Sequence, residues 1–96
     1  MAFCTLLEWD ADFPLDSYYA MVEQTGSHGR LPDGCLCRIV GPVDSGARVI
    51  EVWRSADAAA KFNDEEGHLV GEFELPPPTR VLAFETSTFE QQSEGA

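Results

Sequence analysis

The sequence predicts an α+β domain in which two helices pack on one face of a four-stranded antiparallel sheet. Three observations lead there. Four short segments rich in β-branched and aromatic residues are set apart by turn residues: FCTLLEW at 3–9, CLCRIVG at 35–41, ARVIEVWR at 47–54 and TRVLAFET at 79–86. Helical spacing of apolar residues appears between the first and second of them, and again between the third and fourth. The second and third are joined by GPVDSG, a Pro/Gly turn short enough to make them neighbours. The order is therefore β-α-β-β-α-β, the split βαβ or ferredoxin-like arrangement.

The first strand, 3–9, is broken by DADFP. Pro14 fits the first turn of a helix, where its missing N–H costs nothing, and Asp12 and Asp16 suit the positive end of the helix dipole. Leu15, Tyr18, Tyr19 and Val22 follow the i, i+3, i+4, i+7 pattern of one helix face, and the helix should end near Gly26. QTGSHGRLPDG, 24–34, is a glycine-rich loop closed by a Pro-Asp-Gly turn. After the hairpin, Ser55 is a good N-cap with Asp57 in the first turn. The second helix is then SADAAAKFNDEE, with Ala58, Ala59 and Phe62 inward. Gly67 should end it, and Leu69, Val70 and Phe73 suggest a further short turn on the sheet. Pro76, Pro77 and Pro78 form an extended spacer before the last strand, 79–86. The tail is polar and expected to fray, so residues 1–90 form one domain and 91–96 a disordered tail.

Size and charge narrow the function classes. A chain of 96 residues holds one domain and buries only a modest core. No third layer is left to cover the far face of the sheet, so a second copy of the chain is its natural cover. The net charge of −11 excludes nucleic acid, whose phosphates need clustered Lys and Arg, and an anionic membrane surface. Most of that acidity reads as solvated surface. Cys4, Cys35 and Cys37 lack CxxC spacing and read as small buried hydrophobes in a reducing compartment. His28 and His68 lie far from each other and from any cysteine pair, which argues against zinc. No signal peptide or stretch of transmembrane length is present in the sequence, and the cytoplasm is the expected location.

The hairpin carries an oddity, Arg38 in one apolar strand and Glu51 in the other. If Val40 faces Val49, then Arg38 faces Glu51 and Leu36 faces Trp53, all on one sheet face. The opposite face, with Cys35, Cys37, Ile39, Ile50 and Val52, is more uniformly apolar and is assigned to the helices. Arg38, Glu51 and Trp53 then look away from the helices, towards a partner subunit. The charged pair either fixes strand register at a wet end of the sheet or makes polar contact with a ligand. A slip of one residue would exchange the faces.

PLDSYYAM at 14–21, LPDGCLCRIVG at 31–41, GARVIEVWRS at 46–55 and SADAAAKF at 55–62 together resemble the dimeric α+β barrel superfamily. Within it, they are most similar to the antibiotic biosynthesis monooxygenase-like small proteins. The resemblance covers about residues 3–86, and the Trp53–Ser55–Phe62 spacing is its most specific part. It implies a homodimeric α+β barrel. Where many relatives carry a His in the second strand and an Asp in the third, this chain carries Arg38 and Glu51. Arginine stays protonated and cannot act as a general base, and a paired Glu51 is held ionised.

Two functions remain open. One is a cofactor-independent enzyme of monooxygenase, isomerase or cyclase type, acting on an aromatic or polyketide-like substrate in the barrel cavity. Arg38 would hold a phenolate, enolate or carboxylate. Leu36, Trp53, Trp9, Phe84 and Tyr18 are its candidate substrate contacts. Glu51, His28 and His68 are the other candidate catalytic groups, though each histidine reads more readily as a solvent-exposed loop residue. No CxxC, GxGxxG or P-loop pattern is present, so no cofactor is expected, and haem could be ligated only through His28 or His68. The alternative is a non-catalytic homodimer that binds a small apolar or aromatic ligand beside a biosynthetic pathway.

Overall fold

The computed structural model describes residues 1–25 and 30–90. Strands β1 (Phe3–Trp9), β2 (Cys35–Val43), β3 (Gly46–Trp53) and β4 (Arg80–Glu85) alternate with helices α1 (Leu15–Thr25), α2 (Ala56–Glu66) and the short α3 (His68–Glu72). They form one antiparallel sheet in the order β2-β3-β1-β4. The sequence-predicted order is the observed one. The expected tail over 91–96 and His28 lie outside the described residues.

Local chemistry sets the boundaries. Helix α2 starts where Ser55 Oγ accepts the Ala58 N–H at 3.1 Å, and Gly67 separates it from α3. The β2–β3 turn is tighter than GPVDSG suggests: Val43 pairs with Gly46, so only Asp44 and Ser45 turn the chain. Asp44 takes φ 52°, a left-handed conformation that Asp tolerates. At Gly46 a Cβ would collide with the Trp9 carbonyl. The glycine is therefore what lets β3 begin against the end of β1.

The register of the hairpin places Val40 opposite Val49 and Arg38 opposite Glu51, as the sequence suggests. Two residues earlier the prediction fails. A β-bulge at Leu36 sets Cys35, not Leu36, opposite Trp53, and Cys37 opposite Val52. Cys35 and Cys37 consequently lie on opposite faces of the sheet.

The faces themselves are the reverse of the sequence assignment. Strand alternation puts Phe3, Thr5, Leu7 and Trp9 on one side with Val49, Glu51, Trp53, Arg38 and Val40. That side carries the helices. Trp9, Phe13, Tyr18, Ala47 and Val49 form one buried cluster, with Leu15, Met21 and Val22 of α1 against it. Cys35, Trp53 and Ala59 form a second, packed by Phe3, Ala58 and Phe62. Trp53 and Val49 are the largest side chains buried almost completely.

The far face carries Cys4, Leu6, Cys37, Ile39, Ile50, Val52, Leu82 and Phe84. Ile39, Leu82 and Phe84 are 56%, 51% and 46% exposed in the single chain. One end of this face is polar: Glu8 bridges Arg48 at 3.1 Å and Arg80 at 3.0 Å, tying three strands together. The apolar uniformity that suggested a helix-covered face therefore belongs to the open one.

Candidate functional site

Between the sheet and the helices lies a cavity of about 210 Å³. Its floor is Leu7, Trp9, Arg38, Val49 and Glu51 from the strands; Tyr18, Met21 and Val22 of α1, Phe62 and Asn63 of α2, and the Leu75–Pro78 segment wall it. The wall is mostly apolar, and the charge on it comes from one ion pair. The Arg38 Nε–H donates to Glu51 Oε2 at 2.9 Å, and Arg38 Nη2 lies 2.8 Å from the same oxygen. Both side chains are 12% exposed. Glu51 Oε1 has no hydrogen-bond partner among the described residues.

Each polar group owes its place to its element. Arg38 and Glu51 are held opposite each other by the β2–β3 register, with five further pairs between them and the tight turn. Tyr18 sits one turn into α1, whose first turn is closed by the Tyr18 N–H on the Pro14 carbonyl at 3.1 Å. Its ring stacks against Phe13, with centroids 5.9 Å apart, and Phe13 against Trp9 at 4.4 Å. Trp9 is anchored by its own Nε1–H, which donates to the Pro76 carbonyl at 2.8 Å. The proline spacer is thus fastened to the wall of the cavity.

Burial pushes the Tyr18 phenol up to about 12, with the Arg38 cation lowering it and the Glu51 carboxylate raising it. At neutral pH Tyr18 is therefore a proton-bearing donor beside the ion pair. Burial, together with Glu51, also pushes the Cys35 thiol up, so Cys35 is a packing residue and not a ready nucleophile.

A second chamber of about 320 Å³ lies on the other side of Glu51, between α2 and the β1–β4 edge. Leu7, Glu51 and Asn63 belong to the walls of both chambers.

The sequence-predicted residues divide accordingly. Arg38, Glu51, Trp9 and Tyr18 share the first cavity, and Trp53 lines the second. Leu36 is exposed on the bulge, and Phe84 lies on the open face, away from both chambers. His68 is exposed at the start of α3 and lines neither chamber. Asn63, Met21 and the prolines of the spacer escaped sequence reasoning, because nothing in their local pattern says which way they face. Thr5 could have been found, as the one polar residue in the row Phe3, Thr5, Leu7, Trp9.

Among the described residues no group of His, Cys, Asp and Glu is placed to hold a metal ion, and no helix is long and apolar enough to cross a membrane.

No protein-family model matches the sequence, and no curated protein matches it. Solved structures do match the fold. A candidate antibiotic biosynthesis monooxygenase from Chloroflexus aurantiacus J-10-fl superimposes with a TM-score of 0.69 at 12% identity, over 95% of this chain and 98% of that one. MupZ from Pseudomonas fluorescens gives 0.66 at 17% identity, over 85% of this chain and 66% of its own. The monooxygenase ActVA-Orf6 of Streptomyces coelicolor, solved in complex with nanaomycin D, gives 0.59 at 15% identity, over 96% and 93%. At these identities the likeness is one of fold: the chain has the ferredoxin-like architecture found in antibiotic biosynthesis monooxygenase-like structures.

Proposed function

We propose that the chain is a cofactor-independent enzyme, of monooxygenase, isomerase or cyclase type, that acts on an aromatic or polyketide-like phenol or enol in the cavity between sheet and helices. One observation carries the reading: an arginine–glutamate pair and a proton-bearing tyrosine stand together on the wall of an otherwise apolar cavity. A structural ion pair would gain little there, since desolvation offsets its Coulomb attraction. An arginine whose charge is only partly spent is well suited to a developing oxyanion.

In this reading the ring system lies against Trp9, Tyr18 and Phe62. The Arg38 guanidinium and the Tyr18 hydroxyl donate to the substrate oxygen. Their donation favours the phenolate or enolate, which is the electron-rich species that oxygenation, isomerisation and cyclisation share. Glu51 Oε1, the carboxylate oxygen that Arg38 leaves free, is an available acceptor for the proton released. The likeness in fold to a monooxygenase solved with nanaomycin D supports an aromatic ligand of this kind.

The second reading, a ligand-binding protein without turnover, is favoured by one feature: the Glu51 carboxylate is already engaged by the Arg38 guanidinium. Native mass spectrometry with anthrone under oxygen separates the two. Adduct plus oxidised product supports the enzyme, and adduct alone supports the binder. Neither adduct nor product, with the same result for 1-naphthol, overturns both.

The open apolar face supports a homodimer in which a second copy lies on Ile39, Leu82 and Phe84. Helices and cavities would then sit on the outside of the paired sheets.

A further inference from the structure

The three prolines of the spacer are the least tied part of the wall around the first cavity. Pro76 and Pro78 line it, and Pro77 between them is exposed. A single thickness of chain therefore separates the cavity from solvent there. Proline has no N–H to donate, and the triplet belongs to no helix or strand. Both of its ends are fixed. On one side the Leu75 N–H donates to the Val70 carbonyl at 3.0 Å, and the Leu75 side chain packs on the buried cluster around Trp9. On the other side the Thr79 N–H donates to the Glu8 carbonyl at 2.6 Å, and Thr79 Oγ1 accepts the Asp10 N–H at 3.1 Å.

Between those anchors one hydrogen bond holds the triplet among the described residues, from the Trp9 Nε1–H to the Pro76 carbonyl at 2.8 Å. The floor of the cavity is locked by strand ladders, and the α1 and α2 walls by their own backbone bonds. Displacing any of those breaks several bonds at once, whereas displacing the triplet breaks one. Successive prolines are stiff, so the triplet moves as one piece and does not unravel. The chain approaches it through Glu74 at φ 55°, a left-handed conformation that is unfavourable for any residue but glycine. The closed position is thus held against local strain.

We propose that Pro76–Pro78 is a latched gate: ligands enter and leave the first cavity by outward displacement of this segment, and the Trp9 indole N–H is the latch. Trp9 also stands on the cavity floor. A ligand that shifts the indole releases the gate, and one that leaves the indole in place keeps it shut. In this role Trp9 is a positioning residue. The inference concerns access to the cavity, and it holds whether the occupant is turned over or only bound.

Two measurements on the full chain test it. The first needs no ligand: hydrogen exchange of the Trp9 indole N–H, followed by NMR and corrected for intrinsic rates. A latch opens locally, so this proton should be protected about tenfold less, or weaker still, than the backbone amides of the central strand β3. Pro77 is exposed and lines neither chamber. Pro77→Gly should therefore lower the indole protection by about a further tenfold, through added chain freedom, and leave the β3 amides unchanged. The second measurement is stopped-flow binding of 1-naphthol. Pro77→Gly should raise the association and dissociation rates together, each about tenfold, with Kd little changed, as a barrier requires and a lost contact does not. Trp9→Phe, which keeps a ring and removes the N–H, should raise the association rate likewise. An indole proton as strongly protected as the β3 amides in both the unaltered protein and Pro77→Gly overturns the gate. Binding rates unmoved by Pro77→Gly overturn it too. If 1-naphthol does not bind the unaltered protein, it falls as a ligand, and the exchange result alone decides the gate.

Discussion

Arg38 and Glu51 meet through a single carboxylate oxygen: Nε at 2.9 Å and Nη2 at 2.8 Å both reach Oε2. A bidentate pair would use both oxygens and saturate the charge. This one engages Oε2 alone, on the wall of the cavity that both residues line. Removal of one partner strands the other in a mostly buried site, which typically destabilises by about 3–5 kcal/mol, reduced here towards about 2–3 by the residual exposure. Arg38→Ala should therefore lower stability by about 2–3 kcal/mol in urea while the chain stays folded, and weaken ligand binding. Arg38→Met with Glu51→Leu should recover most of the stability but none of the binding. Binding retained by the double variant would make the pair purely structural.

The Tyr18 phenol gives a pH signature. Its value is raised to about 12 from an ordinary 10.0. Between those two pH values the unfolded chain loses the phenolic proton while the folded chain keeps it, so folding stability falls as pH rises. The contribution is complete below pH 10 and lost by about 12. Two units correspond to roughly 2–3 kcal/mol. Tyr18→Phe should flatten the decline in stability over that interval, and the late phase of the phenolate absorbance titration should vanish with it. A titration unaltered by Tyr18→Phe would show that Tyr18 is not the late-ionising tyrosine.

The open face makes a prediction about assembly. Ile39 and Leu82 lie on it, both more than half exposed in the single chain. A homodimer built on this face should appear by light scattering at micromolar concentration. Ile39→Lys together with Leu82→Lys should yield a folded monomer, since neither side chain supports the cavity side. A monomeric unaltered protein would remove the proposed partner copy.

Strand order, helix positions and the Arg38–Glu51 register were legible in the sequence because each depends on local pattern: turn residues, caps and period-two alternation. Which face the helices cover was not. Parity divides the strand residues into two sets but does not say which set is inside, and the more apolar set looked like the better core. The discriminating residue is Trp53. A tryptophan only 2% exposed, with Phe62 of the following helix against it, fixes the helix side whatever the charges nearby. The bulge at Leu36 was hidden for a related reason, since one extra residue leaves the composition of the strand unchanged while moving Cys35 to the other face. Of the site, Arg38, Glu51, Trp9 and Tyr18 were reachable as unusual residues on predicted elements. Asn63 and the proline spacer were not, because they reach the cavity only through tertiary packing.

The Trp53–Phe62 contact joins a wall residue of the second chamber to a wall residue of the first. The rings lie 5.1 Å apart, tilted by 39°. Phe62 lines the first cavity and Trp53 the second. Truncation of a buried aromatic generally lowers stability by about 3–5 kcal/mol through lost burial and the void left behind. Trp53→Ala should fall in that range, and Phe62→Ala, being less buried, nearer to its lower end. Beyond area, the aromatic pairing itself contributes about 0.5–1.5 kcal/mol. A double-mutant cycle in urea should therefore show the two substitutions to be less than additive by that amount. Strict additivity would mean that α2 is held on the sheet by separate contacts and that the two chamber walls move independently. Coupling of the expected size would mean that a ligand pressing on Phe62 also acts on Trp53.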